Sequence, residues 1–133
     1  MKPLLLCALF STFFLFLSCN IESTTGPQTG DGSVPPKFFL YQNYPNPFSD
    51  TTTIGYDIPP TGGSNSFVSV IVYDGFQQET RVLTSGNFSN GHYSTKWDGR
   101  DSRGIQVPSG VYTIELVGKS PQTVIIRVMA IKK

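Results

Sequence analysis

The pattern of apolar and polar residues divides the chain into three parts. Residues 4–17 are apolar except for one Ser-Thr pair, whereas residues 20–36 are polar and rich in Thr, Ser, Gly and Pro. The polar part cannot bury enough apolar surface to order itself, which is typical of a flexible tether. From residue 37 to the end, short segments alternate between apolar and polar positions, and this period of two predicts strands with one buried face.

The alternating segments predict about seven strands and no helix, because no period of 3.6 residues is present after the apolar leader. In the second segment, Ile54, Tyr56 and Ile58 share one face. Turns rich in Gly, Pro, Asn and Asp, such as Asn90-Gly91, separate the segments at a spacing typical of an all-β sandwich. The predicted strands are Phe38–Gln42, Thr52–Ile58, Phe67–Tyr73, Glu79–Thr84, His92–Asp98, Val111–Val117 and Thr123–Ile131.

The last segment, TVIIRVMAI, is apolar on both faces except at Arg127. A strand of this kind lies either in the centre of a sheet, buried on both sides, or at an edge with an exposed patch that needs a partner. The pattern by itself is compatible with both arrangements.

The apolar leader has the features of an export signal. Lys2 precedes an apolar run shorter than the ~20 residues that span a bilayer, so residues 1–18 are predicted to be a signal peptide. The sequence LFLSC resembles a bacterial lipobox, which implies that a lipid on Cys19 anchors residues 19–36, the tether, to a membrane. Cys7 leaves with the signal, and lipidation would account for the unpaired Cys19. Secretion without a lipid is the alternative.

Residues 41–59, YQNYPNPFSDTTTIGYDIP, place two prolines ahead of the second predicted strand. Proline fixes φ and has no N–H, so the segment from Tyr44 to Phe48 is predicted to be a stiff crossover and not a strand. Tyr44 and Phe48 are expected to anchor the crossover in the core, and Asn46 to bind nearby backbone. The alternative is an exposed patch that an export machine recognises through these three residues.

Several stretches, LYQNYPNPFSDTTTIGYDIP, VSVIVYD, WDGRDSRGIQVPSGVYTIEL and IIRVMAIKK, together resemble a known bacterial family. The chain from about Phe39 to Lys133 looks like the type A C-terminal sorting domain of the type IX secretion system, which is related to the immunoglobulin-like domain of flagellar hook-capping proteins. The resemblance implies that residues 37–133 form an immunoglobulin-like β-sandwich that directs passage across the outer membrane. It also implies that the secretion apparatus reads the last strand, with Arg127, and the basic end, Lys132 and Lys133.

Two features depart from that family. Gly75 follows VYD directly and Gln77 stands where the family usually has glycine, so the turn between the third and fourth strands is expected to be rebuilt. The second departure is the missing cargo, because only the tether lies between Cys19 and the domain. The hypothesis is therefore that the domain is the functional product and not a removable tag.

The residues with chemical potential do not form a catalytic set, because no nucleophile, base and orienting group stand in a recognisable arrangement. His92 is the sole histidine and is expected to be solvated. Asp98 and Asp101, in WDGRDSRG, are weak calcium candidates; the alternative is a tight hairpin in which they cap backbone amides. Trp97 is expected to anchor the core, with sugar stacking as its alternative. No cofactor and no small-molecule substrate are predicted.

The charge balance argues against nucleic acid as a partner. The chain has ten Lys and Arg and nine Asp and Glu, and Lys2 leaves with the signal, so nine basic residues balance nine acidic ones. No basic stripe is available to bind phosphates.

The sequence therefore predicts a non-enzymatic, lipid-anchored protein of the outer membrane or the cell surface. A strand edge and the C-terminal end would dock onto secretion or envelope proteins. A structural assembly module like the hook-capping domain is one alternative, and a carbohydrate or adhesion module that uses Trp97 is another.

Overall fold

The computed structural model of the chain describes residues 33–63, 65–119 and 123–133. The predicted signal peptide, the predicted lipidation site Cys19 and most of the predicted tether lie outside the described residues. Within the described ranges, no helix is long and apolar enough to cross a membrane. The strands are β1 (Phe39–Leu40), β2 (Thr52–Ile58), β3 (Ser66–Tyr73), β4 (Glu79–Phe88), β5 (Gly91–Trp97), β6 (Gly110–Lys119) and β7 (Thr123–Lys132).

The strands form two antiparallel sheets that pack face to face. One sheet has the order β1-β2-β5 and the other the order β4-β3-β6-β7. Their inner faces carry the apolar residues that the alternating pattern assigned to the core. The predicted all-β sandwich of seven strands is therefore confirmed.

The core consists of buried aliphatic side chains from both sheets around aromatic rings. Ile54 and Ile58 come from the smaller sheet, and Val70, Ile114 and Leu116 from the larger one; each is at most 1% exposed. Burial of one such side chain stabilises the fold by about 1.5–3 kcal/mol. The described residues contain no cysteine, so side-chain packing and hydrogen bonds hold these sheets together.

Trp97 ends β5 and is fully buried. Its ring centroid lies 5.3 Å from that of Phe48 and 5.1 Å from that of Tyr112. Its Nε1 donates a 2.9 Å hydrogen bond to the carbonyl of Arg100, which satisfies the polar atom of the indole. The predicted core role of Trp97 is therefore confirmed, and its burial contradicts a role as an exposed platform for sugars.

Tyr112 fixes the entry of the chain into β6. Its hydroxyl donates a 2.8 Å hydrogen bond to the carbonyl of Pro108, four residues earlier. A tyrosine at the start of a strand that bonds back to the preceding loop is a tyrosine corner, a hallmark of antiparallel sandwich domains. Burial raises the pKa of Tyr112, because the phenolate would lose its hydration.

The fourth strand is longer than the sequence pattern predicted. It was expected to end at Thr84, whereas β4 continues to Phe88 and pairs with β3 along residues 85–88. This extension is mostly polar, as suits an edge strand that exposes one side to water. The predicted turn at Asn90-Gly91 leads from β4 to β5, which belong to different sheets, so this turn is not a hairpin.

The turn between β3 and β4 is organised around Asp74. Its Oδ1 accepts hydrogen bonds from the backbone N–H groups of Phe76, at 2.8 Å, and Gln78, at 2.9 Å. Gln77 between them has a φ of 61°, in the left-handed region that favours glycine. A glutamine therefore occupies a backbone conformation that a glycine would adopt without strain.

Gly118 in β6 makes room for the ring of Phe38. A Cβ atom at Gly118 would lie 2.6 Å from Cε1 of Phe38. Because Phe38 is only 7% exposed, its ring cannot move aside without losing its place in the core. The absence of a side chain at Gly118 therefore lets the segment before β1 close over β6.

Replacing Gln77 by glycine is expected to raise the free energy of unfolding by about 0.5–1 kcal/mol. The left-handed conformation costs a non-glycine residue roughly 1–2 kcal/mol, and the greater freedom of glycine in the unfolded chain offsets part of the gain. Urea denaturation followed by Trp97 fluorescence measures the change. Gln78→Gly, at the next position, is the control and should not stabilise. A Gln77→Gly variant that unfolds at lower urea concentration than the parent would contradict the argument.

Replacing Gly118 by alanine is expected to lower the free energy of unfolding by about 1–3 kcal/mol, because the added methyl group overpacks the site against Phe38. Gly110→Ala is the matched control in the same strand, since a Cβ there meets nothing within 4 Å. That control should change stability by no more than about 0.5 kcal/mol. Urea denaturation measures both changes. Equal losses of unfolding free energy for the two substitutions would show that the packing of the Phe38 ring does not require glycine at position 118.

Candidate functional site

The C-terminal strand β7 is an edge strand, since it pairs only with β6 in its sheet. Of the two arrangements compatible with its sequence, the structure therefore has the exposed edge. On the outer face, Ile125, Met129 and Ile131 are 51%, 65% and 42% exposed, while the alternate residues turn towards the core. An exposed apolar edge of this kind needs either protection or a partner.

Asn46 protects one end of this edge by imitating a neighbouring strand. Its Nδ2 donates a 3.0 Å hydrogen bond to the carbonyl of Met129, and its Oδ1 accepts a 2.8 Å hydrogen bond from the N–H of Ile131. The side-chain amide thus satisfies one acceptor and one donor of β7. The expectation that Asn46 binds nearby backbone was wrong, because its partners lie more than 80 residues away.

Phe48 continues the same protection with its own backbone. Its N–H donates to the carbonyl of Ile131 and its carbonyl accepts from the N–H of Lys133, both at 2.9 Å. Its ring is 1% exposed, so the predicted role of Phe48 as a core anchor is confirmed. The segment from Asn46 to Phe48 is therefore a parallel cap on the last residues of β7.

Tyr44 does not anchor the crossover in the core. Its side chain is 58% exposed, and it is the backbone of Tyr44 that binds, exchanging hydrogen bonds of 2.9 and 2.8 Å with Thr53. The expectation that its ring is buried was wrong. The ring instead leaves an aromatic surface beside the cap, consistent with the alternative in which Tyr44 is exposed.

Two amide side chains that the sequence analysis did not single out complete the cap. Asn43 is buried and donates to Thr52 Oγ1 at 2.8 Å and to the carbonyl of Pro45 at 3.3 Å. Gln42 donates to the carbonyl of Met129 at 2.6 Å. The sequence did contain a signal for these two residues. Prolines have no N–H group, so a segment that contains two of them has to donate hydrogen bonds from side chains such as amides.

Arg127 lies in the middle of β7 on the outer face. Its Nε donates a 2.6 Å hydrogen bond to Oε2 of Glu115, whose side chain is 9% exposed, whereas the Arg127 side chain is 56% exposed. Burial and the negative charge of Glu115 raise the pKa of the neighbouring Tyr73. Arg127 therefore neutralises a largely buried carboxylate while most of its own side chain remains at the surface.

The two terminal lysines differ from each other. Lys133 is exposed, but Lys132 is only 7% exposed, so Lys133 alone presents its side chain at the basic end that the resemblance singled out. The Lys132 side chain passes over Gly99, where a Cβ would lie 2.6 Å from Cε of the lysine. Lys132 thus joins the end of β7 to the loop after β5, and Lys133 is the accessible charge of this pair.

Asp101 acts within its turn, whereas Asp98 also accepts a 3.0 Å hydrogen bond from Nη1 of Arg81 in β4. Asp101 Oδ1 accepts from the N–H groups of Arg103 and Ile105, both at 2.9 Å. Hydrogen bonding from the Arg103 side chain lowers the pKa of Asp101. Asp98 Oδ1 accepts from the N–H of Arg100 at 3.2 Å. Both carboxylates have the amide-capping role that was the alternative to calcium, and the described residues contain no group of three potential metal ligands.

His92 is not simply solvated, contrary to expectation. Its Nδ1 lies 2.7 Å from Oδ1 of Asp57, which also accepts a 2.7 Å hydrogen bond from Tyr41 at Oδ2. That bond raises the pKa of Tyr41. The Nε2 of His92 lies 3.0 Å from the carbonyl of Ser33, and nearby Pro35 is buried. This contact with the Ser33 carbonyl fastens the end of the predicted tether to the domain.

The arrangement around β7 is therefore suited to binding. It offers backbone hydrogen-bonding groups, exposed apolar side chains and one exposed guanidinium along a single edge strand. The structure brings Asn46, Phe48 and the end of β7 together, whereas Asp98 and Asp101 serve a different loop.

Comparison with known proteins gives one family and a structural relative. A family model described as the FlgD Ig-like domain matches residues 46–122, more than half of the chain. The crystal structure of dimeric latent PorU from Porphyromonas gingivalis is similar with a TM-score of 0.60 and 22% sequence identity. The similarity covers 77% of this chain but only 10% of that one, and it supports the fold alone. A search of curated proteins found no match.

Replacing Asn46 by alanine is expected to lower the free energy of unfolding by about 1–3 kcal/mol, because two hydrogen bonds to β7 are lost. Amide exchange at Ile131 should accelerate at the same time, since its N–H loses its acceptor. Asn46→Asp keeps that acceptor and should preserve the protection of Ile131. Asn87→Ala, at an exposed position of β4, is the control for a lost surface asparagine. Unchanged exchange at Ile131 in Asn46→Ala would contradict the proposed cap.

Proposed function

This chain belongs to the FlgD Ig-like domain family, and on that premise we propose that it acts by binding and not by catalysis. The leader exports it, a lipid on Cys19 anchors it to the outer membrane, and the domain docks onto secretion or envelope proteins. The resemblance of YPNPF and WDGRDSRGIQVPSGVY to type IX sorting domains supports type IX secretion as the system that it engages.

The observation that carries this proposal is the divided edge of β7. Asn46 and Phe48 cover the end at Met129 and Ile131, while the part around Arg127 has no such cover among the described residues. Proteins that only need to protect an edge tend to cover it, shorten it or charge it. An uncovered stretch that exposes apolar Ile125 and Met129 on either side of a single charge, Arg127, fits a surface kept open for a partner.

A structural assembly module is the second candidate. It is favoured by the family match, together with the resemblance of the sequence to the immunoglobulin-like domain of flagellar hook-capping proteins. In that case the same edge would join subunits, and the protein would form multimers or purify with appendage proteins. The carbohydrate alternative has lost its support, because Trp97, the residue on which it depended, is fully buried.

In a bacterium with type IX secretion, the full chain is expected at the cell surface as an intact, lipid-modified protein. Proteinase added to whole cells should digest it, and inactivation of the type IX translocon should protect it by retaining it inside the outer membrane. A labelled fatty acid should be incorporated into the parent chain and not into the Cys19→Ala control.

Two outcomes would count against this proposal. Equal accessibility to proteinase with and without the translocon would exclude type IX docking. Recovery of the chain in multimers with appendage proteins would favour the assembly module.

A further inference from the structure

The open part of the β7 edge consists of a short run of backbone groups. Because the N–H of Ile131 and the carbonyl of Met129 point away from β6, the backbone of the other odd-numbered residues does so too. At Ile125 and Arg127 the outward N–H and carbonyl have no partner among the described residues, and at Met129 only the N–H lacks one. These groups form a template to which another strand could add.

The side chains along this template have a definite order. Ile125 and Met129 are apolar and exposed, and Arg127 lies between them on the same face. On the covered side of β7, the cross-strand partners of these residues in β6 are Val117, Glu115 and Thr113. The existing neighbour of β7 therefore already places an acidic residue opposite Arg127, with a β-branched residue two positions away on either side.

The guanidinium of Arg127 has donors left for a second carboxylate. Only its Nε binds Glu115, and its two terminal nitrogens donate to no described residue. A residue opposite Arg127 on an added strand would have its Cβ about 4.5–5.5 Å from that of Arg127. A carboxylate there could accept hydrogen bonds from the free nitrogens, so that Arg127 would lie between two acidic residues.

We propose that residues 125–129 receive a strand of a partner protein that carries an acidic residue opposite Arg127 and apolar residues two positions to either side. This inference rests on the proposed docking function and specifies the chemistry of its partner. The pattern reads the same in both directions, so it applies to parallel and antiparallel addition. Charge complementarity at Arg127 and apolar contacts at Ile125 and Met129 select the partner.

A second copy of the chain fits this edge less well. Two-fold pairing centred on Arg127 would place two arginines opposite each other, and like charges in that position are destabilising. Pairing centred on Ile125 would place Arg127 opposite Thr123, which has no carboxylate. Neither arrangement supplies an acceptor for the free nitrogens of Arg127.

The test uses the full chain in detergent and a blocked peptide with the sequence Lys-Thr-Val-Thr-Glu-Thr-Val-Thr-Lys. A matched peptide with Gln in place of Glu should bind about threefold more weakly, the effect of one exposed ion pair. In Arg127→Gln the two peptides should bind equally, which attributes the difference to Arg127. Peptide titrations followed by NMR should shift the amide resonances of Ile125 and Arg127 most.

Ile125→Pro tests the backbone contribution. It removes an outward N–H without removing a hydrogen bond to β6, so the sandwich should remain folded. Peptide binding should weaken about tenfold, because one backbone hydrogen bond is lost and the proline ring obstructs the edge. Ile125→Thr keeps the N–H and is the matched control, with a loss of about threefold at most.

Each contrary result has a distinct meaning. Equal binding of the two peptides by the parent chain, or shifts away from β7, would overturn the inference. A dimer of the parent that Ile125→Pro dissociates, measured by ultracentrifugation, would identify a second copy as the occupant. The cellular result separates the two proposals. If Ile125→Pro abolishes exposure at the cell surface although the Glu and Gln peptides bind the parent chain equally, the proposed docking function holds and only the proposed acidic partner strand is wrong. If the two peptides bind as expected but Ile125→Pro is exposed at the cell surface as fully as the parent chain, the proposed docking function fails.

Discussion

Phe48 connects the two sheets of the sandwich, and the architecture around β7 depends on that connection. Its ring packs against Trp97 at the end of β5, while its backbone bonds with Ile131 and Lys133 at the end of β7. Since β5 and β7 belong to different sheets, Phe48 links the two sheets at this end, where Lys132 also passes over Gly99. The Phe48 contact holds the Pro-rich segment in the position from which Asn46 reaches the strand edge.

The prolines explain why the cap is short. A continuous strand from residues 42–48 could pair along β7, but Pro45 and Pro47 have no N–H to donate. The segment therefore bonds through the side chains of Gln42 and Asn46 and the backbone of Phe48, all near the C-terminal end of β7. The Pro-rich segment of residues 42–48 thus protects the C-terminal end of β7 and leaves the middle of that strand accessible.

The strands could be predicted from the sequence because their signal is local. β2 has the bounds that the alternation of Ile54, Tyr56 and Ile58 indicated, and the burial of Trp97 followed from its place on an alternating strand. The site was less predictable. The positions of Asn46, Lys132 and His92 depend on partners far away along the chain, and the residue types alone did not identify these partners.

Periodicity and proline chemistry in the sequence determined the all-β class, the approximate strands and the inability of the YPNPF segment to run as a strand, because these properties depend on neighbouring residues. Only the tertiary structure decided that β7 is an edge, that Asn46 caps it and that the Arg127 side chain lies beside the open backbone groups of that edge. The reason is that a strand's place in a sheet follows from how all the strands pack together. That packing brings into contact polar groups which the order of residues leaves far apart.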